Sequence, residues 1–342
     1  MTEPDAGVGA RWRMPAEWEP HDGCLMAWPT RRDLWQEQFD AAVVDYTNTA
    51  AAIATFEPVT MIAAPGQGGE ARCALPGEVT VIELPIDDSW LRDSGPVFTV
   101  DSQGRRAGVD FVFNSWGEKF APFDADAAVA AAVLDHLGET RRDSLMVLEG
   151  GSITVDGAGT LVTTEQCVLH PSRNPEMSRA QIEAEWHRTL GVDTVVWLPW
   201  GLVEDTHTDG HVDNVCAFVR PGQVITQSCD DPTNPNHGRM AANLEVLRHA
   251  VDATGSPLEV IELPQHSYFE VGGDTHRNSY LNFYVANGGV VVPTADHGND
   301  ADALAIVSAA FPDREVVGVS SRILAYGGGG IHCITQQIPT GR

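Results

Sequence analysis

A strand–turn–strand unit that recurs at loose spacing constrains this chain more than any other feature. One copy runs Gly95-Pro96-Val97-Phe98-Thr99-Val100, turns over Asp101 to Gly104, and returns through Gly108 to Phe113. A second is Ser152 to Val155, a turn at Asp156 to Gly159, then Thr160 to Thr164. A third is Val212 to Val219, turned by Arg220-Pro221-Gly222, then Val224 to Gln227. A fourth is Tyr280 to Val285, turned at Ala286 to Gly289, then Val290 to Val292. A weaker fifth opens the chain at Gly23 to Trp28, followed after a helix by Val59 to Ala63. Each turn carries the Asp, Asn or Gly that a hairpin requires.

Helical segments lie between these hairpins. Asp124 to Gly138 is alanine-rich and stops on glycine, and Ser178 to Leu190 starts on a capping serine and ends before Gly191. Met240 to Ala253 and Asp300 to Phe311 read similarly. Hairpin, helix and a further strand, repeated about five times at roughly 55–70 residues, predict an α/β fold arranged radially around a central axis. No Pro/Ser-rich linker divides the chain, so residues 1–342 read as one domain.

Four segments carry chemistry. Gly327 to Gly330 precede Ile331-His332-Cys333, so a flat ligand can lie on bare main chain with a thiol at its edge. Asp209-Gly210-His211-Val212-Asp213-Asn214 opens the third hairpin. If that segment is extended, Asp209, His211 and Asp213 share one face and point into one pocket. His207 and His211 also offer a metal pair, although zinc wants three or four protein ligands and spacing by four suits a helix. Asp87 to Pro96 leads into the first hairpin, where the Trp90 face beside the Asp93 carboxylate suits a planar cation. Leu148-Glu149-Gly150-Gly151-Ser152 places an acid at the same point of the second unit. Corresponding ends of radial repeats meet near the axis, which would gather these side chains around Cys333.

A thiol, a histidine and several carboxylates select a narrow substrate class. Extra carboxylates would repel the oxyanion of ordinary acyl transfer. They suit a guanidinium, whose N–H groups pair with them in parallel, and a bound cation beside the thiol favours thiolate. The overall charge points the same way. Lys and Arg number 21 against 48 Asp and Glu, a net charge of −27. Such a surface repels nucleic acid and anionic membranes and attracts a small cation, although acidity also confers solubility whatever the ligand. The six cysteines are widely spaced without a CxxC, Met1 to Met14 lacks the apolar core of a signal peptide, and no apolar run approaches a membrane span. Reduced thiols in the cytoplasm are the expectation. No metal, flavin or nucleotide signature is present, so no cofactor is expected.

These residues together resemble the agmatine deiminase family, within the wider guanidine-modifying (pentein) group. The resemblance runs from Met14-Pro15-Ala16-Glu17-Trp18-Glu19-Pro20-His21 and Met26-Ala27-Trp28-Pro29 through Trp90 to Pro96, Leu148 to Gly151 and Ser172-Arg173-Asn174-Pro175. It continues through Gly210 to Asn214 and Tyr280 to Tyr284 to Gly328–Gln337. It implies a five-bladed α/β propeller and hydrolysis of agmatine to N-carbamoylputrescine and ammonia, a step of putrescine biosynthesis. Carried over, Cys333 matches the nucleophile, His211 the general acid/base, Asp93 and Asp213 the guanidinium-binding pair, and Glu149 the acid that orients the histidine. Trp90 and Gly330 are expected against the substrate. Enzymes of this class often pair as homodimers. Three places depart from the pattern: Gly330, where Asn is usual; Glu204 to Asp209, with His207 and Thr208; and His266 to Asn278, with Asp274, His276 and Arg277. Four other readings remain open on sequence alone: a deiminase of another alkylguanidine, an amidinotransferase on the same scaffold, a binding-only propeller, and a metal hydrolase built on His207 and His211.

Overall fold

The computed structural model of the chain describes residues 11–296 and 298–341. Five sheets of three or four strands follow one another along it, each built on the same plan. An antiparallel hairpin comes first, then a helix, then a third strand parallel to the second. In the first sheet Val97–Asp101 and Arg106–Val112 form the hairpin, Asp126–Leu137 is the helix, and Thr140–Val147 is the parallel strand. The second sheet uses Ile153–Val155, Thr160–Thr164 and Thr194–Leu198 around helix Arg179–Leu190. The third uses Cys216–Arg220, Gln223–Ser228 and Glu259–Pro264 around helix His237–His249. The fourth uses Tyr284–Ala286, Gly289–Thr294 and Glu315–Ser320 around helix Asp300–Ala310.

The fifth sheet joins the two ends of the chain. His21–Ala27 pairs in parallel with Val59–Ala63, and its antiparallel partner is Thr335–Pro339. The weak opening unit of the sequence is therefore half a hairpin, completed by the segment that follows Cys333.

Local chemistry explains the repeats. Asp101 and Asp156 do the same work in the first two hairpins. Each side chain accepts two backbone N–H groups of its own turn, at 2.8–2.9 Å. The helix Arg179–Leu190 starts with a capping box, Ser178 and Gln181 satisfying one another's backbone donors.

Both faces of the sheets are buried, so strand residues alternate between two apolar clusters rather than between core and water. Leu25 and Ala27 pack with Phe98 and the helix residues Val129, Val133 and Leu134, whereas Cys24 and Met26 pack with Tyr46, Ile53 and Val291. The other three clusters behave alike. Val97 and Val109 meet Ile153, Leu161 and Trp186; Val162 and Leu198 meet Phe218, Val224 and Leu247; Val219 and Ile225 meet Val285, Val290 and Val307. Each fully buried Val, Leu, Ile, Phe or Met among these contributes about 1.5–3 kcal/mol.

One expectation fails. Residues Val212–Asn214 form a single 3₁₀ turn, and the strand begins at Cys216. Asp209 (φ +63°) and Gly210 (φ +94°) turn the backbone left-handed, which breaks the alternation assumed for an extended segment. Asp209 consequently points elsewhere, pairing with Arg173 and Lys119 at 2.9 and 2.7 Å. Among the described residues no helix is long and apolar enough to cross a membrane.

Candidate active site

The segment just before the first hairpin strand of each sheet delivers one part of a common site. Asp93 lies on the one-turn helix Leu91–Ser94 ahead of Val97, Glu149 and Gly151 precede Ile153, and His211 and Asp213 precede Cys216. Asn282 precedes Tyr284, and Cys333 precedes Thr335. Asp93, Glu149, His211, Asp213 and Cys333 are all at most 4% exposed.

Two carboxylates and the thiol face one another. Asp213 Oδ2 lies 3.5 Å from Cys333 Sγ. Asp93 Oδ1 accepts the Gly151 N–H at 2.9 Å and lies 3.8 Å from His211 Nδ1. The other ring nitrogen, Nε2, is 3.7 Å from Glu149 Oε2, while Glu149 Oε1 accepts from Arg173 Nε at 2.7 Å. Both His211 nitrogens and Asp213 Oδ1 are buried and lack a hydrogen-bond partner among the described residues. Buried polar atoms are rarely left so, and at an active site they mark where a reactant completes the set.

Charge states follow from these neighbours. Burial first, then Asp213 and Asp93, pushes the Cys333 thiol well above its ordinary range. Burial works to strip the proton from His211, yet Asp93, Cys167 and Glu149 outweigh it and hold the imidazole protonated well above the usual histidine range. Burial also raises Asp93, against the pull of His211. Glu149 sits below its usual range because its contacts with His211 and Arg173 overcome burial. The resting pair is thiol and imidazolium.

The site opens into a cavity of about 350 Å³ with Cys333 and Asp93 at its base. Trp35, Trp90, Trp116, Phe120 and Tyr326 form apolar walls, and Gly327, Gly328 and Gly329 a bare one. Leu34, His207, Thr208, Asp274, His276 and Asp88 supply the remaining lining, so two of the three departures from the family pattern sit here. A second cavity of about 230 Å³ shares His207, His276, Tyr326, Gly328 and Gly329 with the first. Trp90 lies in the wall. Gly330 does not; it backs Asn282, whose Oδ1 would stand 2.4 Å from any Cβ added there.

Three functional neighbours escaped the sequence. Asn282 Nδ2 lies 3.3 Å from Cys333 Sγ, and its Oδ1 accepts the backbone N–H groups of His332 and Cys333 at 3.0 and 3.3 Å. Its place at the head of the fourth hairpin, where the other units carry Asp93, Glu149 and His211, was the available signal. Arg173 stood in a quoted motif without a role. It bonds Glu149, Asp209 and the carbonyls of Trp116 and Thr208. Trp116 donates its Nε1–H to Asp93 Oδ2 at 2.9 Å from a backbone at φ +55°. A large residue in that region costs about 1–3 kcal/mol, and nothing in the local sequence announces it.

The histidine pair offered for a metal does not form a cluster. The described side chains whose donor atoms come within 4.8 Å of one another are Glu149, Cys167 and His211, while His207 lies in the cavity wall, edge-on to Phe120.

The chain matches the model of the Porphyromonas-type peptidyl-arginine deiminases over residues 13–339. It is 44% identical to an agmatine deiminase of Pseudomonas aeruginosa, across 97% of this chain and 96% of that protein. An agmatine deiminase of Medicago truncatula is 43% identical over 96% of each. Among solved structures, the agmatine deiminase of Enterococcus faecalis superimposes with a TM-score of 0.93 at 36% identity, covering 98% of this chain and 99% of that one.

Proposed function

The chain belongs to the agmatine deiminase family, and on that premise we propose that it hydrolyses agmatine to N-carbamoylputrescine and ammonia through a covalent amidino intermediate on Cys333. The observation that carries this is the Cys333 thiol 3.5 Å from Asp213, with Asp93 and His211 closing the same buried space. Asp93 and Asp213 hold the guanidinium, whose positive charge removes the reason the thiol stays protonated, so Cys333 gives up its proton to bulk water as the cation binds. The thiolate adds to the central carbon. His211, already protonated, gives its proton to the departing nitrogen, and ammonia leaves behind an S-amidino cation. The now neutral His211 takes a proton from water, whose oxygen adds to that carbon. Collapse breaks the C–S bond, frees the ureido product and returns a proton to Cys333. Glu149, held by Arg173, steadies the imidazolium.

We read the architecture as a five-bladed propeller in a single domain. Support comes from the five apolar clusters, each of which joins neighbouring sheets, with the last sheet meeting the first through Leu25, Ala27 and Phe98. The ureido product class supports a role in putrescine biosynthesis, and six free cysteines fit a reducing cytoplasm.

The decisive experiment is ammonia release from agmatine by the wild type and Cys333→Ala. Wild type should turn over and the variant should be silent. A variant running at the wild-type rate would exclude the mechanism.

A further inference from the structure

The N-terminal motif Met14 to His21 has no part in the chemistry above, yet it carries Glu17 to the back of the site. Glu17 Oε1 lies 2.8 Å from His332 Nε2, and the other ring nitrogen, Nδ1, lies 3.0 Å from Asp213 Oδ2. Asp213 in turn stands 3.5 Å from Cys333 Sγ. An ionised carboxylate only accepts hydrogen bonds, and a neutral imidazole donates from one nitrogen alone. Two carboxylates on the two ring nitrogens are satisfied together only by the doubly protonated, cationic ring.

We propose that His332 is a positioning residue, an imidazolium strut between Glu17 and Asp213 that aims Asp213 at the substrate and offsets its repulsion of the Cys333 thiolate. This rests on the roles given above to Asp213 and Cys333. The geometry assigns the two oxygens of Asp213 separate tasks. Oδ2 is taken by His332, and Oδ1, buried and unpartnered, is left for the guanidinium. His332 is itself fixed, since its backbone N–H donates to Asn282 and its carbonyl accepts from Arg92 Nε at 3.3 Å.

The groups facing the ring come from three elements. Glu17 from the N-terminal segment and Asp213 from the turn Val212–Asn214 favour the cation; Arg92, from the helix Leu91–Ser94, opposes it and lies 3.5 Å from Glu17. Burial and Arg92 lower the readiness of His332 to hold a proton, but Glu17 and Asp213 prevail and raise it above the ordinary histidine range. Burial would raise Glu17, whereas His332 and Arg92, helped by His21, hold it down at about 2. The strut is therefore in place at low pH and fails as pH rises through the His332 pKa, and removing the Glu17 charge brings that failure to lower pH.

Glu17→Gln tests this, because it keeps an oxygen acceptor and removes the charge at a side chain that is 19% exposed. With agmatine, kcat of the variant should match wild type near pH 6 and fall at least about tenfold behind it by pH 8.5, with a smaller change in KM. Free Cys333 in the variant should need higher pH for alkylation by iodoacetamide. Glu17→Asp should restore the wild-type profile. A variant-to-wild-type ratio that does not change with pH overturns the proposal, as does a Glu17→Asp enzyme that behaves like Glu17→Gln. If Glu17→Gln fails to fold, the ring ¹⁵N signals of His332 in wild type decide: two N–H groups at pH 8 support the strut, and one bare nitrogen removes it. A wild type that releases no ammonia from agmatine would instead refute the proposed function, and the ring signals would still report on the strut.

Discussion

Gly151→Ala puts one methyl group at the centre of the proposed guanidinium clamp. A Cβ at this position would stand 2.7 Å from His211 Nδ1, 2.9 Å from Asp213 Oδ2 and 2.9 Å from Asp93 Oδ1. Ordinary contact begins at 3.4 Å, so the three atoms must retreat by about 0.5–0.7 Å. None is the free end of a flexible chain: Asp93 is tied to Trp116, Asp213 to His332, and His211 is wedged against Glu149. A displacement approaching 1 Å in a catalytic constellation costs about 10²-fold, or about 2.7 kcal/mol of transition-state stabilisation. Gly151 does not occupy the left-handed region, so alanine strains no backbone there, and its entropic gain of about 0.4–1 kcal/mol offsets part of an overpacking cost of about 1–3 kcal/mol, leaving the protein folded. Activity and stability should therefore separate. Ammonia release measured across agmatine concentrations gives kcat/KM, and a thermal melt of the same sample reports folding. A folded Gly151→Ala enzyme with kcat/KM within about threefold of wild type would refute the clamp.

Two further substitutions follow from the neighbours that sequence missed. Trp116→Phe leaves Asp93 Oδ2 without its 2.9 Å donor, an unmatched buried acceptor worth about 1–3 kcal/mol, so kcat/KM should drop about 5- to 100-fold. Losing that donor also raises the pH at which Asp93 ionises, so the acid limb of the pH–rate profile should move toward neutrality. Arg173→Met abandons Glu149 and Asp209 together. The urea midpoint should report about 3–5 kcal/mol of lost stability, and Arg173→Lys should recover only part of it, because one ammonium cannot reproduce the guanidinium fork.

What could be read in advance was what repeats or what is chemically rare. Four hairpins, the helices after them and the convergence of Cys333, His211, Asp93, Asp213 and Glu149 all follow from spacing that one-dimensional pattern preserves. The split fifth sheet was harder, because Thr335–Pro339 pairs with a strand more than three hundred residues earlier and its own neighbourhood contains no turn to signal it. The alternation argument at Asp209 failed for a local reason, two consecutive left-handed residues that interrupt the extended chain. Trp116 was invisible because its value lies in a strained φ and a contact to residue 93, neither of which leaves a composition signal. His332 was in plain view, one position before the nucleophile, but its role appears only when Glu17 and Asp213 arrive on its two sides.

Charge balance ties these parts together. Glu17, Asp93, Glu149, Asp213 and Asp209 face Arg92, Arg173, His211, His332 and Lys119, five carboxyl groups against five cationic side chains in and around a largely buried space. An isolated charge in such a place is costly, so a thiolate added alone would be expelled as a thiol. A guanidinium entering alone would leave an equal excess of the opposite sign. The two together restore neutrality, which couples binding of the cation to ionisation of the nucleophile. The same constraint acts in reverse at the end of the cycle. The ureido group of the product carries no charge, so the thiolate it leaves behind has lost its partner and must take up a proton. The acidic lining thus distinguishes substrate from product by charge alone, at the carbon where the bond is made.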